Sequence, residues 1–354
     1  MEDGTMAETG KKHKDVILSL QALRACGAIL IFLHHAGFRS AVVTAFGDCA
    51  VNWFMMLSGF VLAAGFGFPD ARLRCASWRD LWRQTASFAG RRMRRIAPLY
   101  YVALALMILL MKFHVPVSAA VCQALMIQSW VPREDIFFGL NGPAWFISDI
   151  LFCYAMFLPL MLLWTQWRRF ARAALVVGVA AYFIALTLIP AGRELFWIYI
   201  FPPMQLPSFI IGMLLWPVAD RLRKKALSPA AACCLTGVAV ALAVACMFGH
   251  AHVPAALQLS AFWWPSTALL LVVLTTTDAV RCFTTRVLHT PLLVELGNAS
   301  FSFFILHLPW IWLTHKIMRV AGVELPLGVE VPVSIMLLAA LTLWIHKRFY
   351  PKRI

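Results

Sequence analysis

Charge is what this sequence has least of. Only 13% of its 354 residues are Asp, Glu, Lys or Arg, and Asp and Glu together number 16. Soluble domains carry about a quarter charged residues, so a water-soluble globular chain is excluded. There is no CxxC pair. The nine cysteines (26, 49, 75, 122, 153, 233, 234, 246 and 282) scatter mostly through apolar runs, so neither disulfides nor a metal site are expected. No small-residue cleavage site follows the first apolar run, which is therefore expected to stay as a membrane span. No internal repeat or low-complexity segment stands out. Beyond "HKRFYPKRI" there is no soluble tail, so any chemistry is expected within the membrane domain or its short loops.

What the chain does have is apolar length. Hydrophobic residues make up 62% of it and the mean hydropathy is +0.78. Ten runs approach the roughly 20 residues that cross a bilayer as a helix: 16–37, 49–68, 96–112, 144–164, 172–190, 197–218, 230–249, 261–278, 298–318 and 327–346. The expectation is an all-α membrane protein of about ten transmembrane helices. Residues 1–15 and 348–354 would be short cytoplasmic tails and 16–347 a single membrane domain. The shorter stretch 117–130, bracketed by Pro116 and Pro132, reads as an interfacial helix.

Basic charge sets the orientation. With the N-terminus in the cytoplasm, 24 of the 31 Lys and Arg residues fall on the cytoplasmic side and six on the other, with Arg24 inside the first span. That excess follows the positive-inside rule and places both termini in the cytoplasm. The net charge of +15 then orients the protein, and no nucleic acid is needed to explain it.

The first span, "ALRACGAILIFLHHAGF", carries Arg24 near one end and His34 and His35 near the other. An arginine in hydrocarbon costs several kcal/mol and normally faces a bundle interior or a polar cavity. Eleven residues at about 100° each leave a rotation of only about 20°, with a rise of roughly 16 Å. Arg24 and His35 thus share a face, whereas His34 lies some 80° away by the same geometry. Gln21 extends the polar stripe. The bland alternative is a snorkelling arginine and histidines that mark the water interface.

Further stretches carry a family resemblance when taken in order: "LQAL" ahead of Arg24 and His35, "WFMMLSGFVL" (53–62), "RRMRRIAPLYY" (91–101), "NGPAWFISDILFCYAMFLP" (141–159) and "LGNASFSFFILHLPW" (296–310). Together they resemble the acyltransferase 3 family of bacterial membrane O-acyltransferases, over nearly the whole chain. There are departures. Asn52 stands where an acid often precedes the second-span motif, Asp149 is the nearest acid in the fourth, and "RFYPKR" lacks a Glu before its proline. These point to a subgroup with its own acceptor.

The resemblance implies transfer of an acyl group, usually acetyl, from cytoplasmic acyl-CoA to a sugar hydroxyl outside, in the bacterial inner membrane. Acyl-CoA would be the donor substrate, with no bound cofactor; the acceptor would be a sugar or glycan and the surroundings membrane lipid. Arg91, Arg92, Arg94 and Arg95, with Arg72, Arg74, Arg79 and Arg83 upstream, would dock the CoA phosphates, a task that suits guanidinium forks; such clusters also serve topology or anionic lipid. Arg24 would hold a phosphate, the thioester oxygen or the oxyanion. His35 would be the base or a transient acyl carrier. Ser58, Trp145, Ser148, Asp149, Ser300, Ser302 and His307 are candidates to line the cavity. Trp145 otherwise reads as an interfacial anchor and Ser148 as helix packing, while an unpaired Asp149 would be costly. "FPPMQLP" (201–207) is expected to break the sixth helix beside a cavity. An ion-coupled transporter and a non-catalytic polysaccharide-export partner are the other readings of intramembrane Arg, His and Asp.

Overall fold

The computed structural model describes residues 16–38, 40–70 and 75–350. The tail 1–15 with Lys11, Lys12 and Lys14, together with Arg39, Arg72, Arg74 and residues 351–354, lies outside the described residues. Those described form helices and no strand. In chain order these are α1 (Leu18–His35), α2 (Ala41–Phe66), α3 (Trp78–Leu110), α4 (Val117–Ala124), α5 (Glu134–Phe137), α6 (Trp145–Gln166), α7 (Arg168–Leu188), α8 (Pro202–Leu222), α9 (Pro229–Gly249), α10 (Ala255–Gln258), α11 (Trp264–Thr277), α12 (Phe283–Leu288), α13 (Pro291–Asn298), α14 (Ser300–Ala321) and α15 (Leu327–Phe349).

All ten apolar runs are helical. Seven helices, built on α1, α2, α3, α6, α7, α9 and α15, are long and apolar enough to cross a membrane. The pair α13–α14, bent by 75°, makes an eighth if it counts as one span. The other two runs fall short of that standard. α11 has only 14 residues, and α8, though 21 residues long and preceded by a separate π-helical turn, Leu195–Ile200, is less apolar because it carries four prolines, Gln205, Asp220 and Arg221. The sixth run is thus broken at Phe201, whose extended backbone separates that turn from α8, and Pro202 and Pro203 open the new helix as proline does in a first turn.

The basic stretch expected as a loop ahead of residue 96 is the first half of α3. Ser77 caps it by accepting the backbone N–H of Asp80. Leu81, Thr85, Phe88 and Leu99 are buried at spacings that hold one helix face. Arg92 and Arg95 continue that same stripe, and Arg91 and Arg94 fall off it.

α2 lies at the centre and packs against α1 and α8. A Cβ built on Gly59 would meet the Phe209 carbonyl oxygen at 2.0 Å, and one on Gly212 the Met56 carbonyl oxygen at 1.9 Å. The two backbones therefore touch, which only glycine permits. Gly297 serves α13 in the same way, since a Cβ there would lie 1.9 Å from the Gln21 carbonyl oxygen of α1. The start of α1 is held by Asp278, whose carboxylate accepts the backbone N–H groups of Leu18 (3.3 Å) and Ser19 (2.8 Å). His289 Nε2 is 2.9 Å from the same carboxylate and 3.1 Å from Ser19 Oγ. Both partners meet one ring nitrogen, so this trio braces α1 and is not a proton relay, which uses two.

The crossing of α2 and α8 gives a direct prediction. Gly212→Ala forces Cβ into a backbone carbonyl and should cost about 1–3 kcal/mol, the usual range for overpacking. Gly237→Ala, with nothing within 4 Å of the added Cβ, should leave stability level or raise it slightly. Thermal unfolding of the two detergent-solubilised variants beside the parent checks the contrast.

Candidate active site

Two cavities lie one behind the other along α1. The first, about 230 Å³, is lined by Arg24 and Ile31 of α1, by Val51, Phe54, Leu57 and Ser58 of α2, and by Arg92 and Arg95 of α3. Phe146, Ile147, Ile150 and Tyr154 of α6 and Asn298, Ser300, Ser302 and Phe304 from the α13–α14 bend complete its walls, with His346 and Tyr350 at the chain's end. The second, about 320 Å³, is lined by Ile31, His34 and His35 of α1, Gly47 and Val51 of α2, Trp145 and Phe146 of α6, Tyr199, and Phe304 and Leu308 of α14. Ile31, Val51, Phe146 and Phe304 belong to both linings. One residue from each of four helices thus forms the partition between them.

The first cavity is cationic. Its lining contains three guanidinium groups and no carboxylate. Among the described residues no ion pair involves Arg24, Arg92 or Arg95. Arg92 is half-buried, 5.5 Å from the Phe88 ring and 5.9 Å from that of Tyr154; Arg95 is exposed at the mouth. Like charges gathered in a poorly hydrated space repel strongly, and an anion relieves them. Ser58 Oγ donates to the Phe54 carbonyl (2.6 Å), which leaves its lone pairs free. Ser300 and Ser302 add hydroxyls from the bend, which turns the start of α14 toward Arg24.

The second cavity holds a basic nitrogen. His35 Nδ1 lies 2.9 Å from the Ile31 carbonyl. A carbonyl only accepts, so Nδ1 carries the proton, and in the neutral ring Nε2 keeps its lone pair. His307 is placed in the same way, Nδ1–H donating to the Phe304 carbonyl. Its unprotonated Nε2 then faces His35 Nδ1 at 3.4 Å, with ring centroids 5.0 Å apart. His34 lines the same cavity: its Nδ1–H donates to the Val43 carbonyl (3.0 Å), and its ring packs beside Gly47, away from His307. Trp145 and Tyr199 form an aromatic edge to this cavity, with ring centroids 4.8 Å apart.

The residues singled out by sequence divide accordingly. Arg24, Arg92, Arg95, Ser58, Ser300 and Ser302 meet in the first cavity, and His35 and Trp145 in the second. His307 lines neither and stands behind His35. Arg91 and Arg94 are exposed outside the first cavity, Arg91 bonded to Ser87 Oγ; Arg79 and Arg83 lie further out, Arg83 paired with Asp80 at 3.0 Å. Ser148 and Asp149 are buried on the opposite side of α6 and line neither cavity. Neither Asp149 oxygen has a hydrogen-bond partner, and Ser129 is the polar neighbour nearby. For the first cavity the reason is helical phase: Phe146, Ile147, Ile150 and Tyr154 face it, so residues 148 and 149 point away, while Trp145 on their side of α6 reaches the second cavity from the helix's first residue. Pro203, Leu206 and Pro207 of the proline-rich stretch line a separate apolar cavity of about 300 Å³ with α6 and α7.

Sequence reasoning missed several groups. Tyr154, Tyr199, His346 and Tyr350 sit in these walls, and all but Tyr199 fell within stretches already quoted, though none was singled out. A buried pair, Asp48 with His250 Nε2 at 3.1 Å, joins residues 202 apart and had no local signal.

The family model described as "Acyltransferase domain", that of acyltransferase 3, matches residues 17–346. Among curated proteins, Acyltransferase MdmB of Streptomyces mycarofaciens is 27% identical over 340 residues, covering 85% of this chain and 80% of that protein. No solved structure matches.

An anion probe tests the cationic cavity by itself. Inorganic pyrophosphate, titrated calorimetrically into the solubilised protein, should bind about tenfold more weakly to Arg24→Gln or Arg95→Gln, the loss of one charge-assisted contact. Arg91→Gln and Arg94→Gln should bind it as the parent does. Equal losses in all four variants would contradict the assignment.

Proposed function

The chain belongs to the acyltransferase 3 family, and we propose that it carries an acyl group, acetyl in the simplest case, from cytoplasmic acyl-CoA to a sugar hydroxyl on the far side of a bacterial inner membrane. In this reading the ten apolar helical runs all cross the bilayer and both termini face the cytoplasm. Arg24 then lies on the donor side and His35 on the acceptor side. The supporting observation is the sequence of environments along α1: three guanidinium groups with no ion pair among the described residues, then an apolar partition, then an imidazole with a free lone pair.

The donor's phosphates rest against Arg95 and Arg92 at the mouth, and the pantetheine arm runs inward past Arg24. The acyl carbonyl reaches the partition. An acceptor hydroxyl enters the second cavity, its ring against Trp145 and Tyr199. His35 Nε2 takes the hydroxyl proton as the oxygen attacks the thioester carbon. The new C–O bond forms, the C–S bond breaks, and the CoA thiolate leaves with the proton that His35 had accepted. Two neighbours favour the imidazolium formed on the way. The Ile31 carbonyl accepts from Nδ1–H, and His307 offers a second lone pair to the same proton. Direct transfer takes the acyl carbon across the partition once, with no carrier.

Membranes holding matched amounts of each variant test these roles through incorporation of labelled acetyl into glycan. His35→Ala should lower transfer by about a hundredfold or more, the usual contribution of a general base. His307→Ala should lose part of the rate, and Arg24→Gln should raise the KM for the donor. His34→Ala should fall least. Wild-type transfer by His35→Ala would sink the proposal, and loss confined to His34→Ala would move the base to the other ring.

A further inference from the structure

The partition between the cavities has no part in the proton chemistry, yet the acyl group must occupy it. Along α1, Ile31 stands seven residues beyond Arg24 and four before His35, about 10.5 Å and 6 Å of helix rise. All three share one face, Ile31 and His35 each within about 20° of Arg24 by the same geometry. α14 repeats the order, with Ser300 and Ser302 in the first cavity, Phe304 at the partition and His307 against His35. Any acyl carbon within reach of a hydroxyl on His35 Nε2 therefore has its tail among Ile31, Val51, Phe146 and Phe304.

We propose that these four side chains select the acyl group by length, admitting two or three carbons and rejecting longer or branched chains. The inference rests on the proposed function and names the donor class of that same site. The wall is apolar, with three of its four side chains buried and Phe146 half-buried. Ile31, Val51 and Phe304 are 3%, 6% and 7% exposed. The Phe146 and Phe304 rings meet nearly edge-on at 69° with centroids 5.7 Å apart, and Phe54 backs Phe146 at 6.4 Å. No polar group interrupts it, so it suits a hydrocarbon tail and has no partner for a carboxylated one. Each methylene added at this wall meets the Ile31, Val51, Phe146 and Phe304 side chains, and an apolar pocket discriminates about 10- to 200-fold per methylene. The bonds made and broken are those of the transfer itself: acyl C–S to acyl C–O, with the hydroxyl proton ending on the CoA thiol.

The test uses membrane vesicles from cells that make the full chain and its own glycans, opened to the donor side. Acetyl-, propionyl-, butyryl- and isovaleryl-CoA, each labelled in the acyl carbon, are supplied separately, and label in the glycan fraction is counted. The parent should use acetyl and propionyl donors and reject the longer two. Phe146→Ala and Phe304→Ala should raise the butyryl-to-acetyl ratio at least tenfold. Phe146→Leu and Phe304→Leu should raise it less, and they carry the test if the alanine variants fail to accumulate. Trp344→Ala, exposed on α15, should leave the ratio unchanged. A parent that transfers butyryl as fast as acetyl, or variants that lose all donors in proportion, would overturn the inference while leaving the transferase intact. A parent that transfers none of the four would remove the reaction, and the inference with it.

Discussion

A guanidinium held in the interior of a membrane protein without a carboxylate is the constraint on which the rest depends. Insertion scales put an arginine at a helix centre about 2.5–3.5 kcal/mol above hydrocarbon. The protein adds to that cost by bringing Arg92 and Arg95 toward Arg24 and placing no acid in the cavity wall. An internal carboxylate would have neutralised the group and closed the site. Leaving it unpaired keeps a standing demand for an anion, which the phosphates of the proposed acyl-CoA donor would meet.

The helices around this cavity serve the same end. α1 is fixed at its start by Asp278 and at Gln21 by the close approach of Gly297, so Arg24 and His35 are carried on one rigid rod. The 75° bend between α13 and α14 brings Ser300 and Ser302 to the cationic end while α14 delivers His307 to the other. α2 and α6 run the opposite way along the same axis, since Gly47 and Trp145 line the second cavity and Ser58 and Tyr154 the first. The partition is simply where four helices meet with apolar residues in register.

Much of this was legible in the sequence, and for identifiable reasons. Helical arithmetic put Arg24 and His35 on one face, because periodicity along a single helix is a local property; it set His34 some 80° away, yet the second cavity is wide enough to take both rings. The stripe Leu81, Thr85, Phe88, Arg92, Arg95 was equally readable, but the density of arginine left the segment outside the apolar runs. Asp149 misled for the opposite reason. Its cost was read correctly, yet only the phase of α6 against its neighbours decides which way it faces. The Asp48–His250 pair and the placing of Tyr199 arise from tertiary packing over some 150–200 residues of separation, which no local pattern encodes.

The central claim is that an acyl group crosses the partition and its carrier does not. Acyl-CoA labelled with carbon-14 in the acyl group and tritium in the adenine, supplied only to the Arg24 face of sealed vesicles, separates the two fates. The account predicts carbon-14 in hydroxyl ester on the His35 side, with all tritium retained on the donor side as free CoA. Tritium appearing across the membrane, or carbon-14 ester formed only on the donor side, would contradict it.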